Sequence, residues 1–217
     1  ENLIVRLVPA LEASGVASFE IIFVDDGSRD GTSDVLSSVC ESDERCRLIR
    51  LRRPFGKGDA LSAGFDDARG EVIATIDADL QESPEELDRL LDAIEDGADL
   101  VIGWRHQRLD GAGKRISSLL FIGAVRMAGG PPIHDGNCGF KLIRSDLARE
   151  LPLSGGRFRF MHLVAAHWGY RVDEVQVSHR KRQTGRSHFG PLRAFSAMLD
   201  LVAILALLKS QGRPGVP

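Results

Sequence analysis

The sequence has few cysteines and no excess of basic charge. Its 217 residues include only Cys40, Cys46 and Cys138, and this odd number without a paired CxxC pattern predicts neither a disulfide framework nor a structural zinc site. We expect three reduced thiols, as in a cytosolic protein. The formal net charge is -3, whereas a nucleic-acid-binding domain is usually basic overall. These absences argue against a secreted disulfide scaffold and against a nucleic-acid-binding protein.

Long hydrophobic runs are absent too. The apolar stretch 199–208 has ten residues, about half of the roughly 20 that a membrane-spanning helix needs. The chain opens at Glu1 with an amphipathic helix pattern, and the basic and apolar segments of a signal peptide are not visible there. We therefore expect a cytoplasmic protein, peripheral at the cytoplasmic face of a membrane.

Two nucleotide-binding fingerprints are missing. No GxGxxG follows the first predicted strand, which argues against an NAD-dependent oxidoreductase. The turn Gly56-Lys57-Gly58 contains glycines and a lysine like a phosphate-binding P-loop. It lacks, however, the GxxxxGK[ST] spacing and the hydroxyl that holds magnesium, so the sequence argues against a P-loop as well.

The chain does contain a regular alternation of strand and helix patterns. Apolar, β-rich runs predict strands at 19–24, 48–51, 71–76, 99–103 and 172–177. Helical patterns separate the first four of them, and an apolar helix is predicted at 191–209. This order predicts an α/β fold with a mostly parallel central sheet flanked by helices. Ligands then bind beyond the carboxyl ends of the strands.

The helix after the third strand has the clearest start signal. Ser83 and Glu86 have the spacing of a capping box, and Pro84 stands at the first helical position. Apolar side chains then recur at i, i+3, i+4 and i+7, at Leu87, Leu90, Leu91 and Ile94. We therefore predict a helix that is capped by Ser83 and ends at Gly97.

Acidic residues follow two of the strands. Asp25 and Asp26 follow the first, and Asp77-Ala78-Asp79 follows the third. Two carboxylates one residue apart, just past a buried strand, can face a hard divalent cation while it binds phosphate oxygens, and Gln81 can add a neutral oxygen. A DxD pattern alone also occurs in surface loops, so its interpretation as a metal site depends on the rest of the sequence.

Basic residues are concentrated after the fourth strand. Arg105 follows that strand directly, and a run of basic side chains lies between His179 and His188. An arginine at a strand end can place a fixed positive charge against a diphosphate, and a basic loop can hold phosphate. The alternatives are a solvated arginine and a solvated loop.

Taken in order, these segments resemble the family-2 glycosyltransferases, in particular the dolichol-phosphate mannose synthases and the bacterial polyprenyl-phosphate sugar transferases. The resemblance covers nearly the whole chain and rests on the segments 22–32, 56–61, 77–81, 103–105, 135–141 and 182–187. It implies a GT-A fold with a Rossmann-like sheet. It also implies an inverting, metal-dependent hexosyltransferase that uses Mg²⁺ or Mn²⁺. Such an enzyme moves a sugar from a UDP- or GDP-sugar to a polyprenyl or dolichyl phosphate at a membrane surface. A saccharide acceptor, or a nucleotide-sugar-binding protein without turnover, remains an alternative.

The resemblance also implies roles for individual residues. The metal ligands would be Asp77, Asp79 and Gln81. The donor would be bound by Asp25, Asp26, Lys57, Asp59, Ala60, Asp77 and Ala78, with Asp26 at the base or ribose. The catalytic residues would be Asp79, Arg105, Asp135 and Arg182, although Asp135 can equally be a turn-stabilising residue. The acceptor phosphate would be held by Arg182, Ser187 and His188, where the family usually has lysine at the last position.

Two expectations concern the ends of the chain. Residues 1–190 would form the GT-A catalytic domain, without the usual first strand, because the chain starts where the next helix begins. Residues 191–217 would form a C-terminal helix and tail. This helix either packs on the sheet or lies in a membrane interface, since its apolar residues are flanked by Arg193 and Lys209.

Overall fold

The computed structural model describes residues 2–79, 81–106, 122–123, 125–127, 129–180 and 191–210, with the backbone alone for residues 2 and 191–197. Helices in these ranges are α1 (Asn2–Ala13), α2 (Thr32–Ser42), α3 (Lys57–Asp67), α4 (Leu87–Glu95), α5 (Ser145–Glu150), α6 (Met161–His167) and α7 (Pro191–Ser210). Strands are β1 (Ile21–Asp25), β2 (Cys46–Arg50), β3 (Val72–Thr75), β4 (Leu100–Arg105), β5 (Lys141–Arg144) and β6 (Val172–Val177). Short 3₁₀ turns, Pro84–Glu86 and Arg157–Phe160, precede α4 and α6.

The described strands form two sheets. β1 and β2 pair in parallel, and the second sheet has the order β3-β5-β4-β6. In it, β4 and β6 are parallel, while β5 runs antiparallel to both of its neighbours. The predicted α/β class and the predicted strands are confirmed. The sequence pattern does not predict β5, because Lys141 and Arg144 enclose only two apolar residues, too few to show a strand period.

The second sheet has one edge at which polar residues gather. β3 and β4 are both antiparallel to β5, so they point the same way and their carboxyl ends meet at one edge. Asp77 follows β3 there, and Arg105 is the last residue of β4. β5 begins at the same edge with Lys141, opposite Thr75 and Ile102. The short connections at this edge therefore hold the candidate site.

The start of α4 differs from the prediction in one respect. Pro84 opens the 3₁₀ turn as expected, but Ser83 forms no side-chain cap hydrogen bond. The predicted capping box is therefore wrong. The Glu86 carboxylate instead accepts hydrogen bonds from the backbone N–H (2.7 Å) and hydroxyl (3.1 Å) of Ser178. This contact draws Glu86 away from Ser83 and ties the turn to the end of β6.

The hydrophobic core lies around the second sheet and includes one face of α7. Leu201, Ile204 and Leu208 are buried in it. One face of α7 therefore packs on the core, which is one of the two positions expected for this helix. On the opposite face Met198, Leu199 and Val202 are exposed, at 51%, 56% and 59%. Among the described residues, no helix is both long enough and apolar enough to span a bilayer.

The cysteines are free thiols, as predicted. Cys46 and Cys138 are buried, and Cys40 is partly buried. Burial raises the pKa of Cys138 to about 11, so this thiol is neutral at physiological pH and packs as a small apolar side chain.

Candidate functional site

The acidic turn after β1 is fixed by its first carboxylate. Asp25 is buried and accepts hydrogen bonds from the backbone N–H of Ser28 (3.0 Å) and from the hydroxyl of Ser33. Hydrogen bonding by the side chains of Ser28 and Ser33 lowers the pKa of Asp25, because it favours the charged form. Asp25 thus joins the turn to the start of α2 and positions the residue that follows, Asp26.

Asp26 connects this turn to the start of α3. Its carboxylate accepts hydrogen bonds from the backbone N–H groups of Phe55 (2.7 Å) and Gly56 (2.9 Å). Gly27 lies so close to the same loop that an added Cβ would come within 2.6 Å of the carbonyl carbon of Arg53. The two donor-side segments predicted from the sequence are therefore in direct contact.

Lys57, the first residue of α3, joins the donor side to the acidic turn after β3. Its ammonium lies 2.5 Å from Asp77 Oδ1 and 5.9 Å from the centre of the Phe158 ring. Both members of this ion pair are about two-fifths exposed, at 42% and 40%, so solvent and other ions can reach it. The other donor-side residues of α3, Asp59 and Ala60, are partly buried in its first turn.

The turn after β3 carries the two carboxylates that the sequence assigns to a metal. Asp77 packs against Gly139, where an added Cβ would lie 2.6 Å from the carboxylate carbon. Thr75 donates a hydrogen bond to the carbonyl oxygen of Gly139 (2.7 Å) and holds that glycine in place. Asp79 accepts a hydrogen bond from the backbone N–H of Gln81 (3.2 Å). Asp77, Asp79 and Gln81 thus lie in one turn.

This turn fits a divalent cation that arrives with a nucleotide. The described residues contain no group of three His, Cys, Asp or Glu side chains that could hold a metal. Mg²⁺, however, is usually bound by one or two carboxylates together with substrate phosphates and water. Asp77 already attracts a cation, the Lys57 ammonium, and Ala78 between the two carboxylates is exposed. Asp77 and Asp79 therefore suit Mg²⁺ or Mn²⁺ shared with a diphosphate.

Arg105 and Asp135 form a buried ion pair. Arg105 Nε lies 2.6 Å from Asp135 Oδ2, and Nη2 lies 3.0 Å from Oδ1, so both carboxylate oxygens are engaged. The two side chains are 14% and 2% exposed. Burial alone would lower the pKa of Arg105, but hydrogen bonding to Asp135 outweighs it and raises the pKa overall. The sequence places both residues in one site without predicting that they pair.

Glu174 on β6 fixes the loop that carries Asp135. Its carboxylate accepts hydrogen bonds from the backbone N–H groups of His134 (2.9 Å) and Asp135 (2.8 Å). The His134 ring stacks on Trp104, with ring centroids 4.4 Å apart. Sequence reasoning missed Glu174, because no local pattern links β6 to a loop 40 residues earlier.

Glu82 is a buried carboxyl beside the acidic turn that sequence reasoning also missed. Within the described residues, its Oε2 has no hydrogen-bond partner. Burial, followed by the charges of Asp77 and Asp79, raises the pKa of Glu82 to about 7. Near pH 7 the carboxyl of Glu82 is therefore neutral in a large fraction of the molecules, which reduces the total negative charge beside the acidic turn.

A cleft opens beside Asp77. It lies among α3, β3, the loop before β5 and the second 3₁₀ turn, and its lining includes Lys57, Leu61, Asp77, Asn137, Lys141, Phe158, Arg159 and Met161. Lys141 is only 5% exposed, and its ammonium donates a hydrogen bond to the carbonyl oxygen of Cys138. Burial lowers the pKa of Lys141 to about 8. Sequence reasoning gave this residue no role, because a lysine is ordinarily exposed.

His162, in the first turn of α6, supports the loop on the far side of the cleft. Its ring lies directly against Gly136, so an added Cβ there would overlap the ring. The ring is buried, and Nδ1 has no hydrogen-bond partner in the described part of the chain. Burial lowers the pKa of His162 to about 3, so the imidazole is neutral and packs without a charge.

The acidic turn also contacts the segment after β6. The carbonyl oxygen of Gln81 accepts a hydrogen bond from the backbone N–H of Arg180 (2.9 Å), and Gln81 Nε2 lies 3.2 Å from His179 Nε2. The acceptor-side residues predicted further along, Arg182, Ser187 and His188, lie outside the described residues. What the structure places beside the acidic turn is therefore the beginning of the basic segment.

Comparison with known proteins gives a family match and several similar proteins. The model of glycosyl transferase family 2 matches residues 1–152. The dodecaprenyl-phosphate galacturonate synthase of Rhizobium johnstonii is 33% identical over 217 residues, which is 98% of this chain and 64% of that protein. An undecaprenyl-phosphate 4-deoxy-4-formamido-L-arabinose transferase of Pseudomonas syringae is 35% identical over 188 residues, 86% of this chain and 56% of that protein. The chain therefore spans less than two thirds of the length of these relatives.

Solved structures share the fold. The mannosyl-3-phosphoglycerate synthase of Rubrobacter xylanophilus superposes with a TM-score of 0.70 at 19% identity, over 100% of this chain and 73% of that one. The glucosyl-3-phosphoglycerate synthase of Mycobacterium tuberculosis, crystallised with Mn²⁺, UDP-glucose and phosphoglyceric acid, gives a TM-score of 0.67 at 19% identity, over 94% of this chain and 74% of that one. The predicted GT-A architecture is thereby confirmed.

Proposed function

The chain belongs to glycosyl transferase family 2, and from this membership we propose that it is an inverting glycosyltransferase that moves a sugar from a nucleotide-sugar to a polyprenyl phosphate. The observation that carries the proposal is the contact between Lys57 and Asp77. There the turn held by Asp26 meets the acidic turn after β3. A nucleoside bound at the first turn would bring its diphosphate to the second.

Asp77, Asp79 and Gln81 would hold Mg²⁺ or Mn²⁺ on the donor diphosphate. A divalent cation there stabilises the negative charge that develops on the leaving diphosphate. Asp26 keeps acceptor positions beyond its two backbone hydrogen bonds and can receive N–H or O–H groups of the base or ribose. When the donor binds, the ammonium of Lys57 would release Asp77 and bind a phosphate oxygen of the donor. The turns around these contacts would be held in the shape that fits the donor by the remaining donor-side residues, Asp25, Asp59, Ala60 and Ala78.

Arg105 would supply a fixed positive charge at the end of β4. Its guanidinium has five N–H donors, and the pair with Asp135 uses two nitrogen atoms, which leaves donors for a phosphate oxygen. Asp135 holds the guanidinium in one orientation. A general base is not required, because a phosphate acceptor is largely ionised near neutral pH.

The acceptor would be held by the basic segment after β6. Arg182, Ser187 and His188 follow within a few residues of Arg180, which is bonded to Gln81. An acceptor phosphate oxygen would attack the anomeric carbon from the side opposite the diphosphate. The new carbon–oxygen bond forms as the bond to the diphosphate breaks, the nucleoside diphosphate leaves, and the anomeric configuration inverts.

The two relatives support a polyprenyl phosphate as the acceptor. The name of one contains dodecaprenyl phosphate and that of the other undecaprenyl phosphate, and the similarity covers 98% and 86% of this chain. This favours a lipid-linked phosphate over a saccharide acceptor. Their names differ in the sugar, a galacturonate in one and a formamido-arabinose in the other.

A peripheral position at the cytoplasmic face of a membrane is part of the proposal, and the exposed face of α7 supports the contact with a membrane. Met198, Leu199 and Val202 form an apolar surface opposite the buried face of the helix, and Lys209 lies in its last turn. Such a face can bury itself at the boundary of head groups and acyl chains, with the lysine near anionic lipids. The catalytic edge would then be close to lipid-linked phosphates.

A partition assay tests this function. Purified protein is incubated with polyprenyl phosphate, Mn²⁺ and a panel of radiolabelled UDP- and GDP-sugars, and the label extracted into organic solvent is counted. We expect lipid-extractable label from at least one donor. Asp79→Ala should lower it by at least about 100-fold, since the metal contributes several kcal/mol of charge stabilisation. Asp88, exposed on α4, gives the control variant Asp88→Ala, which should retain activity.

The other outcomes separate the alternatives. Metal-dependent nucleotide binding without product from any donor would contradict transfer and favour a binding protein. Label that appears in an added saccharide and not in the lipid would contradict the acceptor. Full activity of Asp79→Ala would remove the metal assignment.

A further inference from the structure

The cleft beside Asp77 carries more positive than negative charge. Lys57, Lys141 and Arg159 line it, against the single carboxylate of Asp77. Lys57 is paired with Asp77, and Arg159 lies 3.5 Å from Asp200. Lys141 differs from both, because within the described residues its ammonium bonds the carbonyl oxygen of Cys138 and no carboxylate.

The position of Lys141 makes a missing counter-ion costly. It begins β5 in the middle of the second sheet, opposite Thr75 and Ile102, and is almost fully buried. Burial lowers the pKa of Lys141 to about 8 and outweighs the charges of Asp135 and Asp77, which raise it, because a buried charge without a bonded counter-ion is unfavourable. The ammonium is nevertheless mostly protonated at pH 7. An anion bound in the cleft would remove the cost.

The donor sugar is the group that would reach this cleft. It is joined directly to the diphosphate, which the proposed function places at Asp77 and Asp79. Asp77 and Lys141 line the same cleft. Phe158 and Met161 offer apolar surface to the faces of a sugar ring, and Asn137 offers hydrogen bonds to its hydroxyl groups.

We propose that the cleft selects nucleotide-sugars whose sugar carries a carboxylate, a hexuronic acid, with Lys141 as the counter-ion. This inference rests on the proposed transfer function and names the sugar class that the family leaves open. The carboxylate is unchanged in the reaction. It acts in selection, because a neutral sugar in the same place would leave the buried ammonium unpaired, and sites built for a polar group discriminate strongly against analogues that lack it.

A purely structural role for Lys141 makes a different prediction. Its hydrogen bond to Cys138 could serve only to hold the turn between Asp135 and Gly139. Removing the ammonium would then disturb the site for every donor alike. The ratio of activities with charged and neutral sugars therefore distinguishes recognition from support.

Matched donor pairs that differ only at C6 test the inference: UDP-galacturonate and UDP-galactose, UDP-glucuronate and UDP-glucose, GDP-mannuronate and GDP-mannose. For the active pair, we expect kcat/KM of the uronate to exceed that of the neutral sugar by about 10- to 150-fold, the range for a hydrogen bond to a charged group. Lys141→Met should abolish most of this ratio, because the uronate loses its counter-ion and the neutral sugar does not. Lys141→Arg should keep a preference for the uronate.

Two results would overturn the inference: a wild-type protein that uses the neutral donors as well as the uronates, or an equal loss with both donors in Lys141→Met. If that variant does not fold, calorimetry of the wild type with Mg²⁺ and the same donor pairs decides, and equal Kd values would exclude recognition. A uronate preference in binding without any lipid-linked product would remove the transfer function and leave the sugar selection standing.

Discussion

Asp135 faces Arg105 so that both carboxylate oxygens meet the guanidinium, at 2.6 and 3.0 Å. Asp135 is almost fully buried and Arg105 largely so, so water compensates little for either charge if the other is removed. Breaking a buried ion pair by removing one partner costs about 3–5 kcal/mol, whereas replacing both partners by apolar side chains is often neutral. The pair thus fixes an arginine at the end of β4 while leaving its outer N–H groups for a ligand.

This pairing predicts non-additive losses of stability. Arg105→Met and Asp135→Leu should each lower the free energy of unfolding by about 3–5 kcal/mol, because each leaves a buried charge unpaired. The double variant Arg105→Met/Asp135→Leu should be less destabilised than either single variant. Urea unfolding measures all three. Losses that simply add would show that the two side chains are energetically independent.

The close packing of Gly139 on Asp77 predicts a loss of function from a single added methyl group. Gly139→Ala places a Cβ 2.6 Å from the carboxylate carbon, so the carboxylate must move by close to 1 Å. A displacement of that size in a catalytic site can cost about 100-fold in rate. Gly123, where a Cβ meets nothing within 4 Å, gives the control Gly123→Ala. Equal rates of lipid labelling in the two variants would contradict a role for Asp77.

The part of this site that can be predicted from sequence lies in short local motifs. The turns that contain Asp26 and Asp77 follow strands with clear apolar patterns, so their place at a sheet edge follows from the fold class. Lys57 is assigned to the donor by the family resemblance alone, because its turn lacks the spacing of a P-loop. The ammonium of Lys57 lies 2.5 Å from Asp77, and this contact joins two turns. The order of strands and helices predicts that the turns are near each other but does not predict this contact.

The residues that sequence reasoning missed act over long separations. Glu174 lies on β6 and accepts a hydrogen bond from the backbone N–H of Asp135. Glu86 accepts a hydrogen bond from the backbone N–H of Ser178 and does not form the predicted capping box. Lys141 stands beside apolar residues, where a lysine is expected to be exposed. In each case the partner of a charged side chain is set by tertiary contacts, and the periodicity of the sequence does not predict that partner.

The exposed pair between Lys57 and Asp77 predicts a competition with metal ions. Ion pairs this exposed contribute about 0–1 kcal/mol, so the ammonium should lower the affinity for free Mn²⁺ by no more than about fivefold. Lys57→Met should therefore bind Mn²⁺ without nucleotide about two- to fivefold more tightly, while Lys57→Arg keeps the competing charge and should resemble the wild type. Electron paramagnetic resonance titration measures free Mn²⁺ directly. Unchanged or weaker Mn²⁺ binding by Lys57→Met would contradict the competition.

The neutral, buried ring of His162 predicts a loss of stability in mild acid. Its pKa falls from 6.5 to about 3 in the folded protein, so between these values the unfolded chain binds a proton that the folded chain does not. Stability is therefore complete above about pH 6.5 and decreases as the pH falls below it. At pH 5.5 the loss from this residue is about 1.4 kcal/mol relative to pH 8, from the pKa of the unfolded state.

His162→Phe should remove this dependence whatever it does to stability at pH 8. The decrease in free energy of unfolding between pH 8 and pH 5.5 should be smaller by about 1.4 kcal/mol than in the wild type, and the decrease in Tm smaller by roughly 3–6 °C. His167 is exposed on the same helix, and His167→Gln gives the control variant, which should lose as much stability in acid as the wild type. Thermal unfolding followed by circular dichroism at the two pH values measures each difference. A His162→Phe variant that loses as much stability in acid as the wild type would show that His162 takes up its proton in the folded state, and that its ring is not held neutral against Gly136.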